Sequence, residues 1–548
     1  MRPRNVAQLG CEVMPVDPED ILECVRVLES LIADPAILAE LDPESRKRLM
    51  IAAGRVSQPE RNEQRMFARA VAAKTRRELR VATDAQLNRT GIRKLRERPV
   101  LIMPSGGLFG EAAGGLSQPG PAALSSDAGP TAAPSGAYAP DASDAAEERA
   151  EWDSPSIEGA RACYVCKADR QRLHFFYDQL CDACGDFNYA KRSQTANLQG
   201  RVAYISGARV KIGYQAALML LRAGARVIVS TRFPRDAARR YACEPDFESF
   251  RDRLQIYGLD LRHTPSVEAF ARQLLANTDR LDFVIHNACQ TVRRPTGFYR
   301  HLMEGELGPA SQLPAAIQPL LASYESLRDT HAALASGDDF GGRHAPGMHA
   351  APELSQVALV AEDLESGPQL FPTGQLDTDL QQVDLREVNS WRLELHQVST
   401  VELLEVQLVN AVAPFVLNAR LKPLLLRTAA RDKHIVNVSA MEGQFYRRFK
   451  TDKHPHTNMA KAALNMLTRT AAADYVRDGI HMNSVDTGWV TDEDPAHVAR
   501  RKIEENGFSP PLDVVDGAAR IVDPIFDGVN TGKHVWGQFL KDYRSAPW

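Results

Sequence analysis

Beyond residue 198 the chain alternates between two hydrophobic periods. The short apolar runs Arg201–Ser206, Arg226–Ser230 and Ile435–Ser439 have the length and β-branched content of strands buried on both faces. Between such runs lie stretches with apolar residues every three or four positions, for example Tyr214–Arg222, which closes at Gly224. Strand and helix in alternation predict an α/β domain over residues 196–548, with a doubly wound parallel sheet covered by helices. Residues 292–395 interrupt the alternation. They are rich in Pro, Gly, Asp and Gln and carry only short helical pieces such as Ala315–Leu327. About a hundred residues between a fourth strand and its helix exceed any usual connection. A loop leaving the C-terminal end of such a sheet lies where ligands bind. The insertion is therefore expected to cover a cleft as a lid or to form an added subdomain, with a disordered part near Gly337–Ala351.

Upstream, residues 1–103 read as a basic helical region. Asp17-Pro18-Glu19-Asp20 is a helix start, with Pro in the first turn and acids near the positive dipole end. Ile21, Val25, Leu28, Leu31 and Ile32 follow it at helical spacing, and Asp42-Pro43-Glu44-Ser45 is a second start. From Arg55 to Arg98 basic residues outnumber acidic ones 13 to 5. That is the pattern of a solvated helical face, or of a contact surface for an acidic protein partner. Phe67 is the one aromatic residue among these charges, too few for a platform that stacks single-stranded nucleic acid. Residues 104–158 are mostly Gly, Pro, Ala and Ser. They bury too little apolar surface to offset their ordering entropy and are expected to be a disordered linker.

With 548 residues, 44% hydrophobic and 25% charged, the chain has the composition of a globular protein of two or more domains. A formal charge of −4 gives no overall pull toward nucleic acid or membrane. No run of roughly 18 apolar residues suggests a membrane span, and the N-terminus does not read as a signal peptide. Of eight cysteines, four are clustered, which points to a reducing, cytoplasmic setting and one metal site. Cys163-Tyr-Val-Cys166, fourteen residues, then Cys181-Asp-Ala-Cys184 form two knuckles that complete a tetrahedron suited to a structural Zn²⁺ with no open position. The module spans 159–195. Gly185 is expected to permit the turn after the second pair, Leu173–Tyr177 to supply a small core strand, and His174 to stand by. Zinc would contribute the folding energy that so short a segment lacks.

The first strand runs into Gly207-Ala-Arg-Val-Lys-Ile-Gly213 and then a helix. In this context glycines let the backbone approach a pyrophosphate at a helix N-terminus. The second strand ends in Thr231-Arg232. At that tip an acid favours a free ribose 2′-hydroxyl and an arginine a 2′-phosphate, so Arg232, with Arg209 as a second candidate, favours NADP(H) over NAD(H).

These residues bring residues 198–548 into resemblance with the short-chain dehydrogenase/reductase superfamily and its Rossmann-type fold. Gly207 to Gly213, with Ile212, is similar to its glycine turn, and Asp260-Leu261 to its adenine contact. Asn287-Ala288 is similar to the motif after its fourth strand, and Asn410 to its helix asparagine that orders a proton relay. Ile435–Ser439 is similar to its fifth strand, and Lys461 to its ribose-binding lysine. Asn483–Thr491 is similar to the segment whose threonine, here Thr491, holds the nicotinamide amide. The resemblance implies an NAD(P)-dependent oxidoreductase acting on a carbonyl, alcohol or enoyl substrate. It also implies homo-oligomers formed through Val401–Leu426 and Met459–Arg477.

The sequence departs from the family at four positions. Lys211 replaces the middle glycine and Thr487 the proline of a late Pro-Gly. Ala440 stands where a serine polarises the substrate, with Ser439 one residue early. Thr457 stands where a tyrosine donates the proton. A threonine hydroxyl is too weak an acid for that route. The stand-ins are His454 or His456 as the acid, Tyr446 on the loop after the fifth strand, or a water held by Thr457 and fed by Lys461 and Asn410. His454, seven residues before Lys461, matches the tyrosine spacing of the enoyl-reductase branch. Loss of both Ser and Tyr supports the alternative of an inactive NADP(H)-binding sensor or scaffold. A nucleic-acid-associated role is the weakest reading.

Overall fold

The computed structural model describes residues 17–59, 61–96, 149–335, 347–364, 367–445 and 450–548. Most of the expected linker, the core of the Gly337–Ala351 segment and Tyr446 lie outside them. The chain divides into two units, Met1–Ala82 and Thr83–Trp548.

In the first unit both expected helix starts cap helices. Asp17 caps Pro18–Ala33, accepting from the amides of Glu19 and Asp20 at 2.8 and 2.9 Å, and Asp42 caps Pro43–Ser57. Neither helix buries a residue, and Ile21, Val25 and Ile32 are exposed.

The second unit is built on an eight-stranded sheet. Its strands are β3 (Val202–Ser206), β4 (Arg226–Thr231), β5 (Leu254–Gly258), β6 (Phe283–His286), β7 (Lys433–Ser439), β8 (Ile480–Asp486), β9 (Phe539–Lys541) and β10 (Arg544–Ala546). They lie in the order β10-β9-β8-β7-β6-β3-β4-β5, and every pair is parallel except β9 with β10. Every residue of β3, β6, β7 and β8 is buried, so no exposed position alternates with the apolar ones in these strands. The chain fills one side of β3 with β4 and β5, then crosses to the other with β6. The crevice at this switch point opens at the carboxyl ends of β3 and β6, at Ser206 and His286. The chain is thus the expected Rossmann-type doubly wound α/β fold.

A two-stranded antiparallel sheet precedes it, β1 (Ser156–Ala162) with β2 (Asp169–Arg172). β1 starts inside the segment read as linker. The expected strand at Leu173–Tyr177 is not one: these residues are buried in irregular backbone, and β2 ends just before them. Phe175, Phe176 and Tyr177 join Val490, Leu512, Val514 and Val515 in one apolar cluster. Tyr177 donates to Asp516 at 2.5 Å, and Arg192 pairs with Asp513 at 2.7 Å. The cysteine segment therefore shares the core of the α/β body and does not rest on metal alone. Gly185 also differs from expectation. It lies within the helix Asp182–Arg192, where a Cβ would fall 2.4 Å from the His174 ring, so it admits a close approach and makes no turn.

One run, Thr400–Leu425, does have the length and hydropathy of a membrane span, contrary to the sequence expectation. In the fold it packs against the helices Thr264–Asn277 and Pro455–Tyr475 and buries Glu402 and Glu405.

At the opposite edge from the crevice, His434, His481 and His534 gather, with ring centroids 4.7 to 5.3 Å apart. Burial holds His434 well below the ordinary 6.5 and lowers His481. Both protonate more readily in the unfolded chain, so their contribution to stability is present above about pH 6.5 and is lost as pH falls. Each adds up to about 1.4 kcal/mol per pH unit to the slope. Urea unfolding between pH 7 and 5 should show this acid loss, and His434→Gln should remove about one proton from the slope. An unchanged slope would mean His434 is not held neutral.

Candidate functional site

A cavity of about 640 Å³ opens at the switch point. That volume is in the range of small-molecule and cofactor sites. Gly207 takes φ +71°, and a Cβ on it would lie 2.7 Å from Ala288; a Cβ on Gly213 would lie 2.2 Å from the Asn287 amide nitrogen. Asn287 donates to the Gly207 carbonyl at 3.0 Å, and the Ala288 amide donates to Ser206 Oγ at 3.1 Å. The turn after β3 and the end of β6 are thus stitched together with no space for side chains, leaving backbone at the cavity wall.

Lys211 stands in the left-handed region at φ +55°, a conformation that favours glycine. It lines the cavity, and its ammonium is held charged, against the effect of burial, by Glu493, Asp379 and Asp377. Ile212, Arg232, Leu261 and Thr491 also line the cavity. Thr491 donates to Glu493 at 2.7 Å. Asp260 pairs with Arg262 at 2.7 Å, and Arg262 reaches Glu405 at 3.0 Å. Arg209 is bound to Asp236 at 2.7 Å and to Gln381 at 3.1 Å, so its charge is already matched. Of the cofactor residues named from sequence, eleven line the cavity and Lys461 does not.

The insertion supplies one wall. Asp377, Gln381, Asp384, Arg386 and Asn389 face the cavity, a contribution no sequence signal identified. Its anchor is Arg293, buried and bidentate to Asp363 at 2.6 and 2.7 Å, with Glu405 at 2.9 Å on its Nε. Asn389 donates to the Glu493 carbonyl at 2.8 Å, joining the insertion to the loop after β8.

The proton-transfer candidates cluster behind this wall. Asn410 sits in a π-helical turn, Leu408–Val412, of the kind often found at functional sites. It accepts from the Gln290 amide at 2.8 Å and donates to its carbonyl at 3.2 Å. Lys461 is buried and donates to the Val438 carbonyl at 2.8 Å. Thr457 Oγ1, Ser439 Oγ and both amide atoms of Asn465 are buried without a hydrogen-bond partner among the described residues. Thr457, Lys461 and Asn465 recur every four residues and so share one face of the helix Pro455–Tyr475.

His454 and His456 are both buried. Pro455 opens the helix and His454 caps it with φ +43°. The His454 ring stacks on Trp391 of the insertion, centroids 4.0 Å apart and planes 7° apart. Burial lowers its pKa from the ordinary 6.5, aided by His456 and Lys450. His456 points elsewhere. Its Nε2 is 3.4 Å from Glu402, which belongs to the packing of the neighbouring helix. None of these side chains lines the cavity.

The four cysteine sulfurs lie within 4.8 Å of one another, Cys166 and Cys181 at 3.7 Å. A tetrahedral site with metal–sulfur bonds of about 2.3 Å needs sulfurs roughly 3.8 Å apart. The spacing of the four sulfurs is compatible with one tetrahedral metal ion. From the first knuckle Tyr164 reaches out, its hydroxyl accepting from the Trp489 amide at 3.0 Å in the loop that carries Thr491.

The sequence comparisons agree with this geometry. Residues 201–301 match the short chain dehydrogenase family and residues 388–507 the family described as enoyl-(acyl carrier protein) reductase; most of the insertion is in neither match. "Uncharacterized protein R665" of Acanthamoeba polyphaga mimivirus is 30% identical over 67% of this chain and 71% of its own. "Dehydrogenase/reductase SDR family member 13" of Bos taurus is 38% identical over 21% of this chain and 30% of its own, and "Retinol dehydrogenase 12" of Bos taurus 34% identical over 20% and 36%. The chain spans about a third of the length of these named dehydrogenases. Among solved structures, the Pseudomonas aeruginosa RhlG/NADP complex is 17% identical over 63% of this chain and 95% of its own, with a TM-score of 0.38. The chain belongs to the short-chain dehydrogenase/reductase superfamily of NAD(P)-dependent oxidoreductases.

Arg293→Ala would leave Asp363 buried without its guanidinium, while Glu405 keeps Arg262, and such a loss costs about 3–5 kcal/mol. Limited proteolysis of that variant should cut faster within residues 296–390. Cleavage at the wild-type rate would mean the insertion is anchored elsewhere.

Proposed function

We propose that this chain is an NADP(H)-dependent oxidoreductase acting on a carbonyl, alcohol or enoyl substrate, with His454 in the role of the missing tyrosine. The observation that carries the reading is the cavity itself, whose lining gathers eleven of the twelve residues assigned to the cofactor. When bound, the nicotinamide supplies or accepts hydride. Gly207 and Gly213 would admit the diphosphate to the backbone, Lys211 would add a cation beside it, and Thr491 would hold the carboxamide. Arg232 would meet the 2′-phosphate.

His454 is favoured over the other stand-ins by helix phase. Seven residues before Lys461, it falls on the stripe of Thr457 and Lys461, whereas His456 is turned to Glu402. A histidine with a lowered pKa is neutral at pH 7. It is then ready to take the proton of an alcohol as hydride leaves, and must be protonated first to serve carbonyl reduction. Alcohol oxidation should be flat above about pH 6.5 and fall below it, while carbonyl reduction should rise as pH falls. Steady-state assays with NADP(H) and a substrate panel should lose turnover at least about 100-fold in His454→Ala and entirely in Lys461→Met. Undiminished turnover in His454→Ala removes that residue.

A second reading, an inactive NADP(H)-binding sensor or scaffold, is favoured by one observation. Among the described residues no proton-transfer candidate lines the cavity, and the Lys461 ammonium is spent on the Val438 carbonyl. Tight NADPH binding without turnover across substrate classes would select it.

The same proposal assigns structural Zn²⁺ to Cys163, Cys166, Cys181 and Cys184, a cytoplasmic setting, homo-oligomers, and an acidic protein partner for the basic N-terminal helices. Metal analysis of purified protein should find about one zinc per chain. Its removal by a chelator should lower Tm by about 5 °C or more. A metal-free chain with the same Tm would count against zinc as a structural element.

A further inference from the structure

Four guanidinium groups beside this part of the cavity share two carboxylates, and a fifth, Arg232 after β4, has none. Arg209 and Arg240 share Asp236, each at 2.7 Å. Arg294 and Arg386 share Asp384. Arg232 has no carboxylate within ion-pair distance among the described residues. It is held instead by Tyr299, which belongs to the insertion. Its Nη2 donates to the Tyr299 hydroxyl at 2.6 Å, and the guanidinium carbon stands 4.5 Å from the centre of the same ring. Tyr299 is itself fixed, buried with Phe233, Phe298, Leu302 and Phe371.

These contacts orient Arg232 without cancelling its charge. A neutral hydroxyl and a ring face restrain the guanidinium, and both residues line the cavity. A cation fixed in advance and left unneutralised suits a dianionic group, because the ordering cost falls on the fold and not on the binding step. Arg232, Arg294 and Arg209 together hold the Tyr299 phenol below its ordinary pKa although burial raises it, so positive potential converges on this point.

We propose that Tyr299 is a positioning residue for 2′-phosphate recognition, so that the insertion, acting through Tyr299 on Arg232, sets the preference for the phosphorylated dinucleotide. This rests on the NADP(H) reading above and adds to it a residue from outside the nucleotide-binding strands.

The test is equilibrium binding of NADPH and NADH to the full chain and to Arg232→Ala, Tyr299→Phe and Tyr299→Leu, followed by nicotinamide fluorescence. Arg232→Ala should reduce the NADPH-over-NADH preference about tenfold or more. Tyr299→Phe keeps the ring and loses the hydroxyl, and should reduce the preference about threefold to fivefold. Tyr299→Leu should reduce it further, and in all three variants NADH affinity should stay within about twofold. If Arg232→Ala lowers the preference while both Tyr299 variants leave it unchanged, the positioning role is wrong and the NADP(H) reading stands. If Tyr299→Leu weakens both dinucleotides equally, Tyr299 is merely structural and the proposal falls. If Arg232→Ala itself leaves the preference unchanged, the assignment of Arg232 to a 2′-phosphate fails, and the proposal with it.

Discussion

The amide of Asn287 reaches from the end of β6 to the carbonyl of Gly207 at the end of β3, and a methyl group at Gly213 would collide with it at 2.2 Å. This contact closes the switch point of the sheet. With the two strand ends joined through backbone and one amide, this part of the crevice wall is main chain, and the first residues of the helix Lys211–Arg222 line the cavity. A ligand with a diphosphate can approach such a wall, whereas a wall of side chains would keep it a further bond length or two away. Lys211 fits the same frame. It accepts the left-handed backbone the turn requires, at a strain of order 1–3 kcal/mol, and gains a buried cation surrounded by Glu493, Asp379 and Asp377.

The remaining walls depend on ion pairs between elements far apart in sequence. Arg293 ties the insertion to the helix carrying Glu405, and Glu405 also holds Arg262 beside Asp260. The segment after β5 and the insertion therefore share one carboxylate. On the other side, Asn389 binds the loop after β8, and Tyr164 binds the same loop from the cysteine knuckle. The loop carrying Thr491 is held from two directions, by the insertion and by the cysteine segment. The cysteine segment precedes β3 so closely because its aromatic run completes the apolar cluster with Val514 and Val515 on the far face of that loop.

Much of this was legible in the sequence, and the reason is local. Strand ends, glycine turns and the helix starts at Asp17 and Asp42 are set by a few adjacent residues, and the paired CxxC knuckles carry their geometry in their spacing. The parts that were not legible depend on contacts across long separations. Nothing near Leu173–Tyr177 tells that its apolar residues serve a cluster with residues three hundred positions later, so the run resembles a strand. Gly185 resembles a turn glycine until the ring of His174 is seen against it. The Thr400–Leu425 run resembles a core helix or a span equally well by composition, and its burial of Glu402 and Glu405 decides for the core. Arg209 resembles a phosphate ligand until Asp236 is found on it. In each case the deciding partner is absent from the local window.

The same distinction bears on the departure at Thr457. Replacing a tyrosine by threonine removes a proton donor and also about half of a side chain's length, so the space must be filled or left open. Here the insertion acts. Trp391 lies flat on His454, the residue that opens the helix carrying Thr457 and Lys461. Thr457 Oγ1 and Ser439 Oγ are buried and unbonded, a cost of about 1–3 kcal/mol each. A fold that had only lost its chemistry would gain stability from apolar residues at those two positions. Two unbonded hydroxyls in the same domain as the buried Lys461 and Asn410 are a cost the proposed proton-handling role would account for, and in that reading the insertion supplies the aromatic contact that holds the histidine.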